Sequence, residues 1–357
     1  MMKKSNLKLT ALFLGALIAA FMFAGCGSKA DSHENRLKIV TTVFPVYDWT
    51  KNVVGSDKND IDITILLDKG TDLHSYQPTA QDIAKIAGCD VFVYVGGESD
   101  KWIEDVLDDA DNYKMVVINL IDKLGDNVVS EEFREGMQTA EHHDEHDRGH
   151  YTGKNCDQDD CDHDADEHKD GTHNYHGVDE ADEHIWLSLK NAKLATQTIA
   201  DEIAKADPKN KNSYMDNAKS YIKSLDSLDK NYKTMVEKSR KKTVLFADRF
   251  PFRYLVEDYG LEYFAAFSGC SAESEASFKT VKFLAEKADR LRLNAILVIE
   301  NSNRDIAKAV IGNTKDKNKK ILTMNSMQSI NAGDVESGAT YIKIMEDNLK
   351  VLKEALN

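Results

Sequence analysis

The chain has 357 residues and a formal net charge of −15. Most of the excess negative charge lies in residues 141–183, which hold 16 Asp and Glu against three Lys and Arg. The rest of the chain is therefore close to neutral, so its charge does not indicate a basic nucleic-acid-binding surface. The length is sufficient for two domains, each with its own hydrophobic core.

The N-terminus has the organisation of a secretory signal peptide. Three lysines precede an apolar run, Leu9–Ala24, that is rather short for a membrane-spanning helix. Small residues then stand directly before Cys26, as in a bacterial lipobox, although Phe23 stands where that motif usually has Leu. We predict a signal peptide over residues 1–25, a linker over residues 26–36, and a lipid anchor on Cys26 at the extracytoplasmic face of a bacterial membrane. The alternatives are an ordinary signal peptide and a short membrane anchor with an incidental cysteine.

From Leu37 onward, short β-branched runs alternate with helical stretches, which predicts a mostly parallel sheet with helices on both faces. The predicted strands are Leu37–Val43, Ile61–Leu67, Val91–Val95 and Met115–Ile118. The predicted helices include Asp82–Ala87 and Lys101–Leu107, and Thr79 before Asp82 resembles a capping box. We assign residues 37–207 to this N-terminal lobe.

A second set of alternating elements begins at Thr243. The predicted strands are Thr243–Ala247, Tyr263–Phe267, Ala295–Ile299 and Lys320–Met324. The predicted helices are Phe252–Tyr259, Phe278–Leu291, Ile306–Ile311 and about Gly338–Leu356. The fold class is therefore α/β, with two doubly wound lobes, the second covering residues 242–357.

One long helix is predicted between the lobes, over residues 208–241. Its apolar residues recur at alternating spacings of four and three from Tyr214 to Met235, and Pro208 suits a first helical turn. We interpret this helix as a rigid connector packed along both lobes. The alternative, one arm of a coiled coil, lacks a matching second arm nearby.

The histidines are concentrated in the acidic segment. Eight of the 11 are His142, His143, His146, His150, His163, His168, His173 and His176. With almost no apolar residues, the loop 138–183 is expected to be disordered. Imidazole and carboxylate groups are good Zn²⁺ ligands, so we predict an auxiliary metal-binding loop. Cys156 and Cys161 within it either form a disulfide or bind metal.

Only two histidines lie in the predicted lobes, because His33 belongs to the linker. His74 follows a strand and a turn, and His184 follows the acidic loop. Ligands of doubly wound sheets bind at the carboxyl ends of the strands, where both histidines are placed. We therefore expect His74 and His184 to ligate one metal ion.

These two motifs carry a family resemblance. GTDLHSYQPT (residues 70–79), with Asp82 following, resembles the G-x-x-P-H-x-Y-E-P-T-x-x-D segment of metal-binding ABC-transporter receptors of the ZnuA/TroA type, and DEHIWLS (residues 182–188) resembles their D-P-H-x-W-L-S. The resemblance implies two four-stranded lobes joined by one long helix, a single metal between them, and delivery of that metal to a permease and its ATPase. The His-rich loop is similar to that of the zinc-specific branch, so Zn²⁺ is expected and Mn²⁺ or iron is the alternative.

The C-terminal lobe departs from the family pattern. Arg249 stands where the family usually has a His or Glu ligand, and Arg has no lone pair to offer. The neighbouring Asp248 is our candidate instead, with Arg249 holding its carboxylate or pointing to solvent. The family's fourth ligand falls near Asn325. Cys270, a soft donor suited to Zn²⁺, and Glu300, at the end of a strand, are further candidates.

These residues bear on three classes of function. A binding receptor, acting as a monomer, accounts for both histidine motifs and the loop. A zinc hydrolase using His74, His184 and a carboxylate is disfavoured, because the chain has no H-E-x-x-H, nucleophile elbow or Gly-rich phosphate loop. A surface metal buffer or adhesin would leave the two motifs in the lobes unexplained.

Overall fold

The computed structural model describes residues 36–55, 60–138, 180–271 and 275–357. The predicted signal peptide, Cys26, the eight clustered histidines and the cysteine pair lie outside the described residues. Within the described part, no helix is long and apolar enough to cross a membrane.

The first lobe is a four-stranded parallel sheet in the order β2-β1-β3-β4. The strands are β1 (Leu37–Thr41), β2 (Ile61–Ile65), β3 (Val91–Tyr94) and β4 (Val116–Asn119). The helices are α1 (Phe44–Val54), α2 (Ala80–Ala87), α3 (Trp102–Asp109) and α4 (Leu120–Leu124). All four residues of β3 are buried, as expected for a central strand covered on both faces. The capping box of Thr79 and Asp82 is confirmed at the start of α2.

Helix α5 (Leu189–Ala206) packs against the first lobe and leads through a 3₁₀ turn at Pro208–Asn210 into α6 (Lys211–Lys238), the long helix that links the lobes. The predicted stripe on α6 is buried from Tyr214 to Tyr232, whereas Val236 rather than Met235 is buried at its end. The helix contacts both lobes, because Tyr221 Oη donates to Asp48 on α1 and Tyr232 Oη donates to a backbone carbonyl near the C-terminus. The expectation that no second arm lies nearby was wrong, because α5 packs along α6.

The second lobe repeats the topology of the first, with the parallel order β6-β5-β7-β8. Its strands are β5 (Thr243–Phe250), β6 (Glu262–Ser268), β7 (Ala295–Ile299) and β8 (Lys320–Met324). Its helices are α7 (Arg253–Tyr259), α8 (Phe278–Arg290), α9 (Asp305–Asn313), α10 (Ala332–Glu336) and α11 (Tyr341–Ala355). The predicted fold class, two doubly wound α/β lobes linked by one long helix, is confirmed.

Candidate metal centre

His74 lies in a 3₁₀ turn, Leu73–Ser75, in the loop that follows β2. The Asp72 carboxylate caps this turn by accepting from the His74 backbone N–H at 3.1 Å. His74 Nδ1 lies 2.8 Å from the hydroxyl of Ser99, which follows β3, and 3.7 Å from Glu183. With Nδ1 occupied in this way, Nε2 is the nitrogen that faces the space between the lobes.

His184 is fully buried. Its Nδ1 donates to Asp182 Oδ1 at 2.8 Å, and the same oxygen accepts the His184 backbone N–H at 2.9 Å. An imidazole that donates from Nδ1 to a carboxylate keeps its Nε2 lone pair for a metal and becomes more basic. His184 therefore has the orientation of a metal-ligating histidine.

Three potential ligands converge between the lobes. The Nε2 atoms of His74 and His184 are 3.2 Å apart, and these two histidines and Cys270 place their ligand atoms within 4.8 Å of one another. Cys270 lies just after β6, so the two histidines come from one lobe and the thiol comes from the other. Imidazole nitrogen and thiolate sulfur are both ligand types of zinc sites that have three protein ligands and an open fourth position.

Burial and neighbouring charges shift the pKa values of all three groups. Burial, together with the neighbouring His184, lowers the pKa of His74 to about 3. Burial opposes charge on His184 as well, but the Asp182 carboxylate outweighs it and raises the pKa of His184. Burial and the charge of Glu131 raise the pKa of the Cys270 thiol. A cation bound between the three groups would replace the proton of the Cys270 thiol and any proton on His184 Nε2, whereas His74 is already neutral.

Glycine at position 269 allows the second lobe to approach His184 closely. A Cβ atom there would lie 3.0 Å from both His184 Cε1 and the Phe250 carbonyl oxygen. Both distances are shorter than ordinary van der Waals contacts. The absence of a side chain at Gly269 therefore helps to place Cys270 beside the histidines.

The segment that carries His184 is held by the second lobe. Tyr254 Oη on α7 donates to the Asp182 carbonyl oxygen at 2.7 Å. The Trp186 indole N–H donates to the Ser326 carbonyl oxygen at 2.8 Å, and Tyr341 Oη donates to the Trp186 carbonyl oxygen at 2.6 Å. Asp182 and Glu183, which we had placed in the disordered loop, are buried parts of this segment.

Asp248 and Arg249 do not join the cluster of His74, His184 and Cys270. The register between β5 and β6 shifts at this point, and a bulge of this kind re-aims side chains. The Asp248 carboxylate accepts from the backbone N–H groups of Arg249 and Ile299. We had expected the Arg249 guanidinium to hold Asp248 or to point to solvent, and both expectations were wrong. It donates to Asp72 across the lobe interface at 2.7 Å.

Glu300 is likewise occupied, because its two carboxylate oxygens accept from the Ser326 backbone N–H and hydroxyl, both at 2.7 Å. Asn325 accepts the Met327 backbone N–H and does not contact the histidines. Instead the Gln328 amide lies 2.9 Å from His184 Nε2. Gln328 was not predicted from the sequence, where the family's fourth ligand was placed near Asn325.

The profile of the protein family described as "Zinc-uptake complex component A periplasmic" matches residues 39–355, nearly all of the described chain. The chain belongs to this family. The resemblance inferred from residues 70–79 and 182–188 is thereby confirmed.

Individual relatives are similar at low identity. The zinc-binding lipoprotein AdcA of Streptococcus pneumoniae is 30% identical over 348 residues, which cover 98% of this chain but 61% of AdcA. The chain thus spans about three fifths of that relative. The high-affinity zinc uptake system protein ZnuA of Bacillus subtilis is 29% identical, with 98% of each chain covered. The Zn(II)-bound ZnuA-like domain of S. pneumoniae AdcA superposes with a TM-score of 0.65 at 28% identity, covering 90% of this chain and 99% of that domain.

A cavity of about 580 Å³ opens beside the cluster. His74, Cys270, Glu131, Glu183 and Trp102 are among its lining residues. Carboxylates near its wall give the approach a negative potential, which attracts cations. The cluster is therefore accessible to a metal ion from this side.

Proposed function

We propose that this protein is an extracytoplasmic receptor that binds one Zn²⁺ ion between its lobes and delivers it to an ABC importer. The observation that carries the proposal is the convergence of His74, His184 and Cys270 within 4.8 Å. The relatives named as zinc-binding and zinc-uptake proteins support the same ligand.

The donor set favours zinc over manganese. Two imidazole nitrogens and one thiolate are borderline to soft ligands, which suit Zn²⁺, whereas Mn²⁺ prefers oxygen. Asp182 strengthens His184 as a ligand through the Nδ1 hydrogen bond, and Ser99 orients His74. We assign Asp248 and Glu300, the other two predicted ligands, to supporting positions around the site.

Membership of a family of zinc-uptake complex components supports the proposed partners. A component of a zinc-uptake complex requires a membrane permease and an ATPase, to which this chain would present the metal as a monomer. Cys26 would carry the lipid anchor that keeps the receptor at the extracytoplasmic membrane surface. The eight clustered histidines would then supply weaker, auxiliary metal sites on the same chain, outside the site between the lobes.

The direct test uses a full-length variant in which those eight histidines, Cys156 and Cys161 are replaced by serine, hereafter the His-replaced variant. We expect it to retain one tight Zn²⁺ site and to take up Zn²⁺ in preference to Mn²⁺ in competition dialysis. A surface metal buffer would instead lose nearly all of its zinc binding. Equal or reversed occupancy by Mn²⁺ would contradict the zinc assignment.

Zinc binding should release protons. The raised pKa of the Cys270 thiol keeps it protonated at neutral pH, so ligation should release about one proton, and His184 should add a fraction because its pKa is also raised. His74 should add none, because its pKa of about 3 leaves it neutral. Zinc affinity should therefore fall as the pH falls, most steeply where His184 also becomes protonated.

Calorimetry of the His-replaced variant at pH 7, in two buffers of different ionisation enthalpy, measures the released protons. Cys270→Ser in the same background is the matched control and should release about one proton fewer. Equal proton release by the two proteins would exclude the thiolate as a ligand.

A second candidate function is adhesion. The laminin-binding protein Lmb of Streptococcus agalactiae, described as bifunctional with adhesin and metal-transporting activity, superposes with a TM-score of 0.64 at 25% identity and covers 90% of this chain. Binding of immobilised laminin by the purified protein tests this. Absence of saturable binding would leave metal capture as the function.

A further inference from the structure

Arg249 and Asp72 form an ion pair between the two lobes, beside the candidate metal centre. Arg249 Nη2 donates to Asp72 Oδ2 at 2.7 Å, and the two side chains are 20% and 22% exposed. Burial opposes the charge of Asp72, but the hydrogen bond and charge of Arg249 outweigh it and lower the pKa of that carboxyl. Asp72 is therefore ionised at neutral pH, and the contact is a charge-assisted hydrogen bond from one lobe to the other.

The two oxygens of Asp72 have different partners. Oδ1 accepts the His74 backbone N–H at 3.1 Å, which caps the 3₁₀ turn Leu73–Ser75, whereas Oδ2 accepts from Arg249. A carboxylate that is bonded at both oxygens is restricted in its rotation. Because a turn of three residues has few hydrogen bonds of its own, its position depends on such contacts. The guanidinium of the second lobe therefore fixes the cap of the turn that carries His74.

The bulged end of β5 gives Arg249 a fixed base. Asp248 Oδ1 accepts the Arg249 backbone N–H at 2.9 Å, and Asp248 Oδ2 accepts the backbone N–H of Ile299, at the end of β7, at 3.4 Å. These bonds join the bulge to the neighbouring strand, and bulges of this kind re-aim side chains. The backbone of Arg249 is thus held within the second lobe while its side chain reaches the first.

We propose that Arg249 is a positioning residue, which holds His74 in place from the opposite lobe through Asp72. A metal ligand at position 249 could join the lobes only through a bound ion, whereas Arg249 joins them without one. The His74 turn is then in place before the ion arrives, so less ordering is needed when the ion binds. This inference rests on the proposed function, because the position of His74 matters for affinity only if His74 binds the metal.

Charge and positioning predict opposite results for Arg249→Met in the His-replaced variant. The substitution removes a positive charge near the site and leaves Asp72 unpaired, so charge alone predicts tighter binding of a cation. Loss of positioning predicts Zn²⁺ affinity about tenfold lower, the scale of losing a partner that orients a ligand. We expect the lower affinity, measured by chelator competition. Arg249→Lys, which keeps a cation within reach of Asp72, should recover most of the loss, because the contact uses one guanidinium nitrogen.

The double variant Arg249→Met with Asp72→Asn removes both charges and keeps the net charge of the pair at zero. Asn can still cap the turn. Its Zn²⁺ affinity should also be about tenfold lower, and the costs of the single changes should not add, because the pair acts as a unit. The matched control is Arg36→Met with Asp62→Asn, the same exchange in an ion pair at 3.0 Å within the first lobe. It should leave the affinity unchanged.

The outcomes separate this proposal from the proposed function. If the His-replaced parent binds no Zn²⁺ tightly, the proposed function itself fails. If the parent binds Zn²⁺ and the double variant binds it within about twofold of the parent, Arg249 does not position His74. Tighter binding by Arg249→Met would show that Arg249 acts through its charge alone. Urea unfolding of each metal-free variant is measured beside the affinity, and a loss of affinity only in variants that are also less stable would overturn the positioning role.

Discussion

Replacing His184 with alanine in the His-replaced variant is expected to lower Zn²⁺ affinity at least about 100-fold. Loss of a group that merely orients a metal ligand costs 10–100-fold, and loss of the ligand itself should cost more. His184 is the best-oriented candidate ligand of the site, because it is fully buried and its Nδ1 already donates to Asp182. Calorimetry or chelator competition measures the change.

His74→Ala is the partner experiment and should give a loss of similar size. Because the His74 side chain is only 10% exposed, the free energy of unfolding of this variant is measured beside its zinc affinity, which separates metal binding from folding. Ser75→Ala, at the exposed neighbouring position, serves as the control and should bind normally. Unchanged zinc affinity in either histidine variant would remove that residue from the site.

Trp186→Ala should reduce the free energy of unfolding by about 3–5 kcal/mol. The Trp186 side chain is fully buried, its ring lies 5.4 Å from that of His184, and its indole N–H bonds a carbonyl of the other lobe. Truncation would leave a large cavity and an unpaired Ser326 carbonyl oxygen at the same point. Urea unfolding of the metal-free protein measures the effect.

Two controls distinguish the cavity from the lost hydrogen bond. Trp186→Phe retains most of the volume and loses the N–H, so it should cost about 1 kcal/mol. Trp102→Ala removes a half-buried indole whose N–H has no hydrogen-bond partner among the described residues, and should cost less than Trp186→Ala. Equal costs for Trp186→Ala and Trp102→Ala would contradict the role of Trp186 as a bridge between lobes.

The strands were predictable because parallel sheets buried on both faces need continuous β-branched and aromatic runs. Ala295–Ile299 and Lys320–Met324 agree with the predicted bounds. The first two strands end earlier than predicted, because Thr42–Val43 and Leu66–Leu67 are buried in the loops that follow them. An apolar run in the sequence therefore predicts which residues are buried more accurately than it predicts where the strand ends.

Helix α5 was not recognised because its buried face is built largely from small residues. Ala192, Ala195 and Ala200 pack on that face, where a periodicity search expects larger side chains. The long stripe of α6 was unmistakable by comparison. The packing of α5 along α6 was therefore not predictable from the sequence.

The candidate ligands of the first lobe were predictable from the two histidine motifs, whereas the candidates of the second lobe depend on tertiary detail. A bulge in β5 re-aims Asp248, and Gly269 permits the approach that brings Cys270 to the histidines. Gln328 becomes relevant only through its distance to His184. None of these three features has a signature in the local sequence.

X-ray absorption at the zinc edge tests the central claim most directly. The sample is the His-replaced variant loaded with slightly less than one equivalent of Zn²⁺. Two imidazole nitrogens at about 2.0–2.1 Å and one sulfur at about 2.3 Å are predicted, from His74, His184 and Cys270. Cys270→Ser should remove the sulfur contribution alone. A shell of nitrogen and oxygen atoms without sulfur in the parent protein would contradict the account.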